Sequence, residues 1–172
     1  MRLFISAITV IFTLGVYAQD YSKHYVMNTC DKYRIYYTYS KNMDKNCKRV
    51  KDLAYDFTYV DTDDYISMLA TCSSLEYTKV DSMLIILPNM ECGKFALENL
   101  YYEKKKKYWT NRFKCIIPYD FFVKMYENES AYTLKLDSDS SVPLEFKDNP
   151  KKWKKRKNTY RFVQTIININ RK

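Results

Sequence analysis

Glycine is almost absent from this chain, and the shortage limits the folds that the chain can adopt. The 172 residues contain only Gly15 and Gly93, and Gly15 lies in the apolar N-terminal run. Barrels and sandwiches usually place glycine in tight turns and bulges, whereas Asn, Asp and Ser are enough for loops between helices. The shortage therefore favours a mainly α protein.

The N-terminus has the pattern of a secretory signal peptide over residues 1–18. Arg2 precedes an uncharged, largely apolar run, residues 3–16, and Ala18 supplies the small residue of a cleavage site. The run is short for a membrane span. We expect a secreted chain that begins at about Gln19 and has no further span, with an uncleaved signal anchor as the alternative.

One pattern occurs twice in the chain. Each copy has a cysteine, a tyrosine pair, a second cysteine and a Tyr-Asp-Phe triplet, in that order. The residues are Cys30, Tyr36, Tyr37, Cys47 and 55–57 in the first copy, and Cys92, Tyr101, Tyr102, Cys115 and 119–121 in the second. The order predicts two related units, residues 19–88 and 89–150, followed by a basic C-terminal tail, residues 151–172.

Export predicts two kinds of covalent modification. An exported chain with five cysteines is expected to contain disulfides, each of which would stabilise the fold by about 3 kcal/mol in the chain-entropy model. The repeat favours pairing Cys30 with Cys47 and Cys92 with Cys115, which leaves Cys72 over. In addition, Asn128 begins an Asn-Glu-Ser acceptor for N-glycosylation and would then lie at the surface.

The spacing of apolar residues predicts several helices. Val50, Leu53, Ala54 and Phe57 fall at i, i+3, i+4 and i+7, and Tyr65, Met68, Leu69 and Cys72 repeat this spacing after the acidic stretch 61–64. Further helices are expected over about 94–108 and from Pro118 to about Tyr126. For residues 30–40 a helix is preferred to a strand, and residues 83–87 fit a buried strand or the end of a helix.

The C-terminal third has a different pattern. Alternation at Tyr132, Leu134 and Leu136, and again over residues 142–146, predicts a β-hairpin. The apolar residues at the end of the chain fit either a strand or a frayed helix. The expected fold is therefore a mainly α, disulfide-stabilised helical bundle of two related units, with a small C-terminal β-hairpin as a possible addition.

The net positive charge lies at the C-terminus. The formal net charge is +9, and residues 151–172 contain nine Lys or Arg and no acid. The predicted anion-binding or nuclear-address residues are Lys151, Lys152, Trp153, Lys154, Lys155, Arg156 and Lys157. Such a segment can bind glycosaminoglycan or another polyanion, or serve as a nuclear-import signal. A solvated, extended tail without a ligand is the alternative.

The sequence lacks the residues that most catalytic and cofactor chemistry requires. His24 is the only histidine, and no Gly-x-Ser-x-Gly motif, Cys-x-x-Cys pair or glycine-rich loop is present. Asp56 and Asp120 would form a carboxylate dyad only if the two copies faced each other, and a structural role is the ordinary one for such residues. We therefore expect a protein that is not an enzyme and has no cofactor or metal.

A signal peptide followed by two cysteine–tyrosine–cysteine copies resembles the BICYCLE proteins, the secreted salivary effectors of aphids and their relatives. The resemblance rests on Cys30, Tyr36, Tyr37 and Cys47 in one copy and on Cys92, Tyr101, Tyr102 and Cys115 in the other. It implies delivery in saliva into plant tissue, action on host defence or development, and no enzymatic site.

Three functions compete at this point. The leading hypothesis is a secreted effector, delivered into host tissue or host cells, that binds a host protein. The alternative is a secreted immunomodulator of a virus or parasite that captures a cytokine or chemokine and is held on glycosaminoglycan by its basic tail. The third is a lipocalin-like carrier of a small ligand, which the glycine shortage disfavours because its barrel needs eight strands and their turns.

Overall fold

The protein is mostly β-structure. A computed structural model describes residues 24–44, 50–138 and 144–170. Eleven strands form within these residues: β1 Tyr25–Thr29, β2 Arg34–Thr38, β3 Lys41–Asn42, β4 Val50–Val60, β5 Tyr65–Ser74, β6 Val80–Ile86, β7 Cys92–Ala96, β8 Glu98–Lys105, β9 Tyr108–Pro118, β10 Thr133–Ser138 and β11 Leu144–Phe146. The two helices are α1, Tyr119–Met125, and α2, Pro150–Asn170. With 53% of the described residues in strands and 20% in helices, the prediction of a mainly α bundle is wrong.

The strands form two antiparallel sheets. Sheet A has seven strands in the order β1-β2-β4-β5-β9-β8, with β3 paired to β4 off this path. Sheet B has four strands in the order β11-β10-β6-β7. The chain passes from sheet B to sheet A between β7 and β8, where Leu97 N donates to the Asp81 carbonyl at 3.0 Å. Strands β6 and β7 pair with each other across the turn that contains Pro88 and Asn89. The expected boundary between two units therefore lies inside a β-hairpin.

The core is rich in aromatic side chains. Phe57 on β4 lies edge-to-face with Phe122 of α1 at 4.9 Å and with Tyr160 of α2 at 5.3 Å between ring centroids. Tyr126 and Tyr160 are closer still, at 4.6 Å. Aromatic pairs at these separations add about 0.5–1.5 kcal/mol each to the free energy of area burial. The cluster fixes both helices on the inner face of sheet A.

The helical spacing of residues 50–57 and 65–72 arises from strands. In β5, Met68 and Cys72 are buried while Tyr65 and Leu69 lie on the other face, because an interval of four residues is two full periods of a strand. In β4, a bulge with Lys51 as its extra residue brings Val50 and Leu53 to the same buried face. Both helix predictions are wrong, as is the helix expected over 94–108, which is β7, β8 and the start of β9.

Turns and bulges form here without glycine. Two more register shifts occur besides the bulge in β4. Asp81 is the extra residue where β6 pairs with β10, and Leu100 is the extra residue where β8 pairs with β9. Among the described residues, the non-glycine positive φ angles are 68° at Met90 and 58° at Lys106, both in turns between paired strands. Each costs on the order of 1 kcal/mol relative to glycine. The chain accepts this cost, so the shortage of glycine did not exclude β-structure.

Gly93 serves side-chain packing rather than a turn. A Cβ atom at this position would lie 2.6 Å from the Phe95 ring and 3.0 Å from the Phe121 ring. These two rings meet edge-to-face at 5.3 Å between centroids. Glycine is needed in β7 because the Phe95 ring folds back over the backbone of the strand.

Some local predictions are confirmed. Helix α1 begins directly after Pro118 and buries Tyr119, Phe122 and Met125. The predicted C-terminal hairpin corresponds to β10 and β11, in which Leu134 pairs with Phe146 and Leu136 with Leu144, although its turn lies outside the described residues. Residues 83–86 belong to strand β6, with Met83 and Ile85 buried, so the strand is the correct one of the two alternatives. The preferred helix over 30–40 is wrong, because β2 occupies its centre.

The two copies of the sequence pattern form different structures. The first Tyr-Asp-Phe triplet lies within β4, whereas the second begins α1. The first tyrosine pair lies on β2 near one edge of sheet A, and the second lies on the opposite edge strand, β8. Two equivalent helical units are therefore not formed.

The C-terminal basic segment is helical over residues 150–170. Asn149 caps α2, since its Oδ1 accepts a hydrogen bond from Lys152 N at 3.0 Å, and Pro150 takes the first helical position, where it needs no hydrogen-bond acceptor. In the described part of the chain, neither helix is long and apolar enough to cross a membrane.

We predict that Phe57→Ala lowers the free energy of unfolding by about 3–5 kcal/mol, because it removes a ring enclosed by both helices and leaves a cavity. Chemical denaturation followed by tryptophan fluorescence measures the change. Ile116→Ala is the matched control on the outer face of sheet A, where the side chain is 44% exposed, and should change stability by less than about 1 kcal/mol. Equal losses in the two variants would contradict the assigned core.

Candidate anion-binding site

Helix α2 divides the predicted anion-binding stretch between two faces. Trp153, Arg156 and Lys157 are buried, whereas Lys151, Lys152, Lys154 and Lys155 are exposed. Arg161, two turns further along, is also exposed. The stretch is therefore not an extended tail, and only four of its seven side chains are presented to solvent.

The buried members of the stretch attach the helix to the core. The Trp153 indole stacks on Tyr126, with 5.6 Å between centroids and 15° between planes, and meets Tyr132 edge-on at 5.5 Å. Lys157 forms an ion pair with Glu129, which lies in the turn after α1 and whose pKa is lowered by this hydrogen bond. Neither side chain is available to a ligand.

Arg156 links α2 to strand β3 of sheet A and to the segment that follows β11 of sheet B. Its Nε and Nη2 donate to the two carboxylate oxygens of Asp148, which follows β11, in a bidentate pair. Nη2 also donates to the Asn42 carbonyl of β3 at 2.8 Å, and the guanidinium lies 4.9 Å from the centroid of the Tyr55 ring. Nη1 is buried and has no acceptor among the described residues.

A cavity of about 270 Å³ lies between β3 and α2, and we call it the helix pocket. It is lined by Lys41, Asn42, Lys152, Lys155, Arg156, Thr159 and Tyr160. Lysines and an arginine from two separate elements therefore surround one small space. By contrast, a larger cavity of about 400 Å³ beside the β1–β2 turn is lined by side chains of both charge signs.

Positive charge in the helix pocket exceeds the negative charge around it. Asp44 forms an ion pair with Lys152, and this hydrogen bond lowers the pKa of Asp44. No carboxylate of the described residues forms an ion pair with Lys41 or Lys155. Burial lowers the pKa of Lys41, and the charges of Lys155 and Arg156 lower it further. The pocket therefore combines partial desolvation with an excess of like charge.

His24 lies at the edge of this region. Its Nδ1 is 3.3 Å from Lys41 Nζ, a distance that fits donation from the ammonium to a neutral imidazole. The ring therefore helps to place Lys41, and it has a hydrogen-bonding role beyond that expected of an ordinary surface histidine.

The described cysteines do not form the expected disulfide framework. Cys30, Cys92 and Cys115 are free thiols, and the expected Cys92–Cys115 bridge is not formed because Cys92 is exposed on β7 while Cys115 points into the core from β9. Burial raises the pKa of Cys115 to about 12, which keeps its thiol neutral. Cys72 is buried on β5, and Cys47, the partner expected for Cys30, lies outside the described residues.

The remaining candidate residues lie in different places. Asp56 is half-buried on the outer face of β4, where burial raises its pKa and Arg112 opposes that effect, while Asp120 is exposed in the first turn of α1. Asn128 lies in the turn after α1, and its Nδ2 donates to the Lys124 carbonyl at 3.3 Å. Among the described residues, no cluster of His, Cys, Asp and Glu is suited to hold a metal ion.

Sequence reasoning missed half of the helix pocket. Lys41 and Asn42 are more than 110 residues from Arg156 in sequence, and no spacing connects them. The helix itself had a signal, since Asn149-Pro150 before a long run free of glycine is typical of a helix start. That signal would have placed Arg156, Thr159 and Tyr160 near one face of a helix.

Comparison with protein-family models, with curated proteins and with solved structures finds no match for this chain.

We predict that Asp148→Asn lowers the free energy of unfolding by about 3–5 kcal/mol, because it leaves the buried Arg156 guanidinium without a compensating charge. Asp137→Asn is the matched control, since Asp137 pairs with Lys94 at 3.0 Å on the surface and its side chain is 60% exposed. The control should lose less than about 1 kcal/mol. Chemical denaturation of both variants measures the difference, and a smaller loss in Asp148→Asn than in the control would refute the role of the buried pair.

Proposed function

We propose that the protein is an exported, non-enzymatic binding protein that attaches to sulfated polysaccharide through the exposed basic face of α2. The observation that carries the proposal is the row of exposed cations, Lys151, Lys154, Lys155 and Arg161. Lys154 and Lys155 are adjacent, Lys151 precedes Lys154 by three residues, and Arg161 follows Lys155 by six. On a helix, residues three or four apart are neighbours on the surface. The row therefore offers a line of charges to a linear polyanion.

The rest of the helix supports this use of the face. The buried side chains on the opposite face hold α2 against the core, so its cations are attached to a rigid element. A rigid row of charges loses less conformational entropy on binding than the same charges on a flexible tail. No acidic residue occurs between residues 151 and 172 to oppose a polyanion.

We further propose that this attachment serves the binding of a host protein, in keeping with either an effector or an immunomodulator. Support comes from the outer face of sheet A, where Tyr37 and Ile116 lie at the ends of one cross-strand row and are 38% and 44% exposed. Tyr65, 43% exposed, lies on the same face. Tyrosine is enriched in protein–protein interfaces relative to the rest of the surface.

A lipocalin-like carrier has less support. The described strands form two open sheets rather than one closed barrel. The aromatic cluster around Phe57, Phe122 and Tyr160 fills the space that a lipocalin-type barrel leaves for a ligand.

We predict that the combined change Lys151→Gln, Lys154→Gln and Arg161→Gln weakens binding to heparin at least about tenfold at physiological salt, since each lost cation contributes about 1 kcal/mol beside an anionic surface. The measurement is surface plasmon resonance on immobilised heparin, with the protein expressed from the full chain. The matched control is Lys104→Gln, Lys106→Gln and Lys107→Gln at the exposed β8–β9 hairpin, which removes the same charge. Equal weakening in both variants would show that net charge alone holds the protein and would refute the proposal.

A further inference from the structure

The helix pocket between α2 and β3 is not explained by adhesion through the exposed face of α2. The helix pocket brings Lys41 from β3 toward Lys155 and Arg156 from α2, although like charges repel when they are close and partly desolvated. We propose that the helix pocket is a binding site for a tetrahedral oxyanion, a sulfate or phosphate group carried as a monoester, with Lys41, Lys155 and Arg156 as its cationic contacts.

Arg156 supplies the first argument. Nε and Nη2 of its guanidinium donate to the Asp148 carboxylate, and Nη2 also donates to the Asn42 carbonyl. The flat face of the guanidinium lies against the Tyr55 ring. Nη1 remains buried without an acceptor in the described part of the chain, and the residue is only 7% exposed. Buried donors nearly always have an acceptor. The helix pocket adjoins this guanidinium, so a bound oxyanion would lie beside a cation whose third nitrogen has no acceptor among the described residues.

The balance of charge supplies the second argument. Two of the four cations that line the pocket already have carboxylate partners, Lys152 with Asp44 and Arg156 with Asp148. Lys41 and Lys155 have none among the described residues, so the pocket holds an excess of about two positive charges. A doubly charged oxyanion would offset this excess.

The walls and the size of the pocket fit a small anionic group. At about 270 Å³ the cavity is several times the volume of one water molecule, about 30 Å³ in the liquid. Thr159 Oγ1 donates to the Lys155 carbonyl at 3.0 Å, and Tyr160 closes the inner wall. This space takes one sulfate or phosphate group with the first atoms of its carrier, and a whole polysaccharide chain would have to lie outside it.

The site shares only Lys155 with the exposed row of cations used for adhesion. None of Lys151, Lys154 and Arg161 lines the helix pocket. The proposal therefore goes beyond attachment to a polyanion, and each of the two can fail without the other.

The test is isothermal titration calorimetry of the protein expressed from the full chain with inorganic sulfate and inorganic phosphate, against sodium chloride at the same ionic strength. We expect saturable 1:1 binding of at least one oxyanion and none of chloride. Lys41→Gln should weaken this binding about tenfold or more, because it removes a charged hydrogen-bond donor. Lys104→Gln, which removes an equal charge from the exposed strand β8, should leave it unchanged.

Three further experiments make the outcome decisive. Thermal unfolding of Lys41→Gln establishes that the variant is folded, and Lys155→Gln repeats the test with an exposed residue. The Lys41 ammonium, observed by NMR, should have a higher pKa in the oxyanion complex than in chloride. Lack of saturable binding to the unmodified protein, or equal weakening by Lys41→Gln and Lys104→Gln, would overturn the proposal.

The source of the oxyanion is distinguished by titrating glucose 6-sulfate and glucose 6-phosphate beside glucose. Tighter binding of either ester than of its inorganic ion supports a monoester site and identifies the sulfated or the phosphorylated class. Tighter binding of both inorganic ions than of their esters would overturn the monoester part of the proposal. Heparin binding by Lys41→Gln, measured in parallel, reports on adhesion alone and is expected to persist.

Discussion

The buried ion pair between Arg156 and Asp148 is the interaction on which the arrangement of the helix and the two sheets depends. Asp148 follows the last strand of sheet B, Arg156 belongs to α2, and the same guanidinium binds the carbonyl of Asn42 in sheet A. A guanidinium at this depth is stable only with its partners in place. The pair therefore helps to hold α2 against β3 and the segment that follows β11, together with the aromatic contacts of Trp153 and Tyr160.

The tyrosine hydroxyls beside this pair act as its polar surroundings. Tyr55 and Tyr132 hydrogen-bond to each other, and Tyr126 lies 3.5 and 3.4 Å from them. Burial raises the pKa of Tyr132 to about 12, so these phenols stay neutral at physiological pH. The charge of Arg156 is thus balanced by Asp148 alone, and the phenols supply hydrogen bonds and ring faces. A polar network of this kind is stabilising only when its members are satisfied together.

The sequence predicted the elements whose signals are local, and it did not predict those that depend on distant partners. Helix α1 and the β10–β11 hairpin followed from Pro118 and from the alternation at Leu134 and Leu136. The long strands were mistaken for helices because residues four apart share a face in a helix and in a strand. In β4, the bulge at Lys51 also places Val50 and Leu53, three residues apart, on one face. Lys41 had no local signal at all, since only the pairing of β3 with β4 brings it to α2. Positive φ at Met90 and Lys106 replaced the glycines whose absence had argued against strands.

The basic stretch also shows why a count of charges overstates what a surface can bind. Of the six cations between residues 151 and 157, Arg156 and Lys157 are buried with carboxylate partners and Lys152 is paired with Asp44. Only Lys151, Lys154 and Lys155 have no carboxylate partner among the described residues, and Lys155 borders the helix pocket. The paired cations set the position of α2, and that position aligns the unpaired ones. Folding and adhesion to a polyanion thus depend on the same helix through different residues, so variants on its exposed face can separate adhesion from stability. Arg156 is the exception, since it belongs both to the buried pair and to the helix pocket.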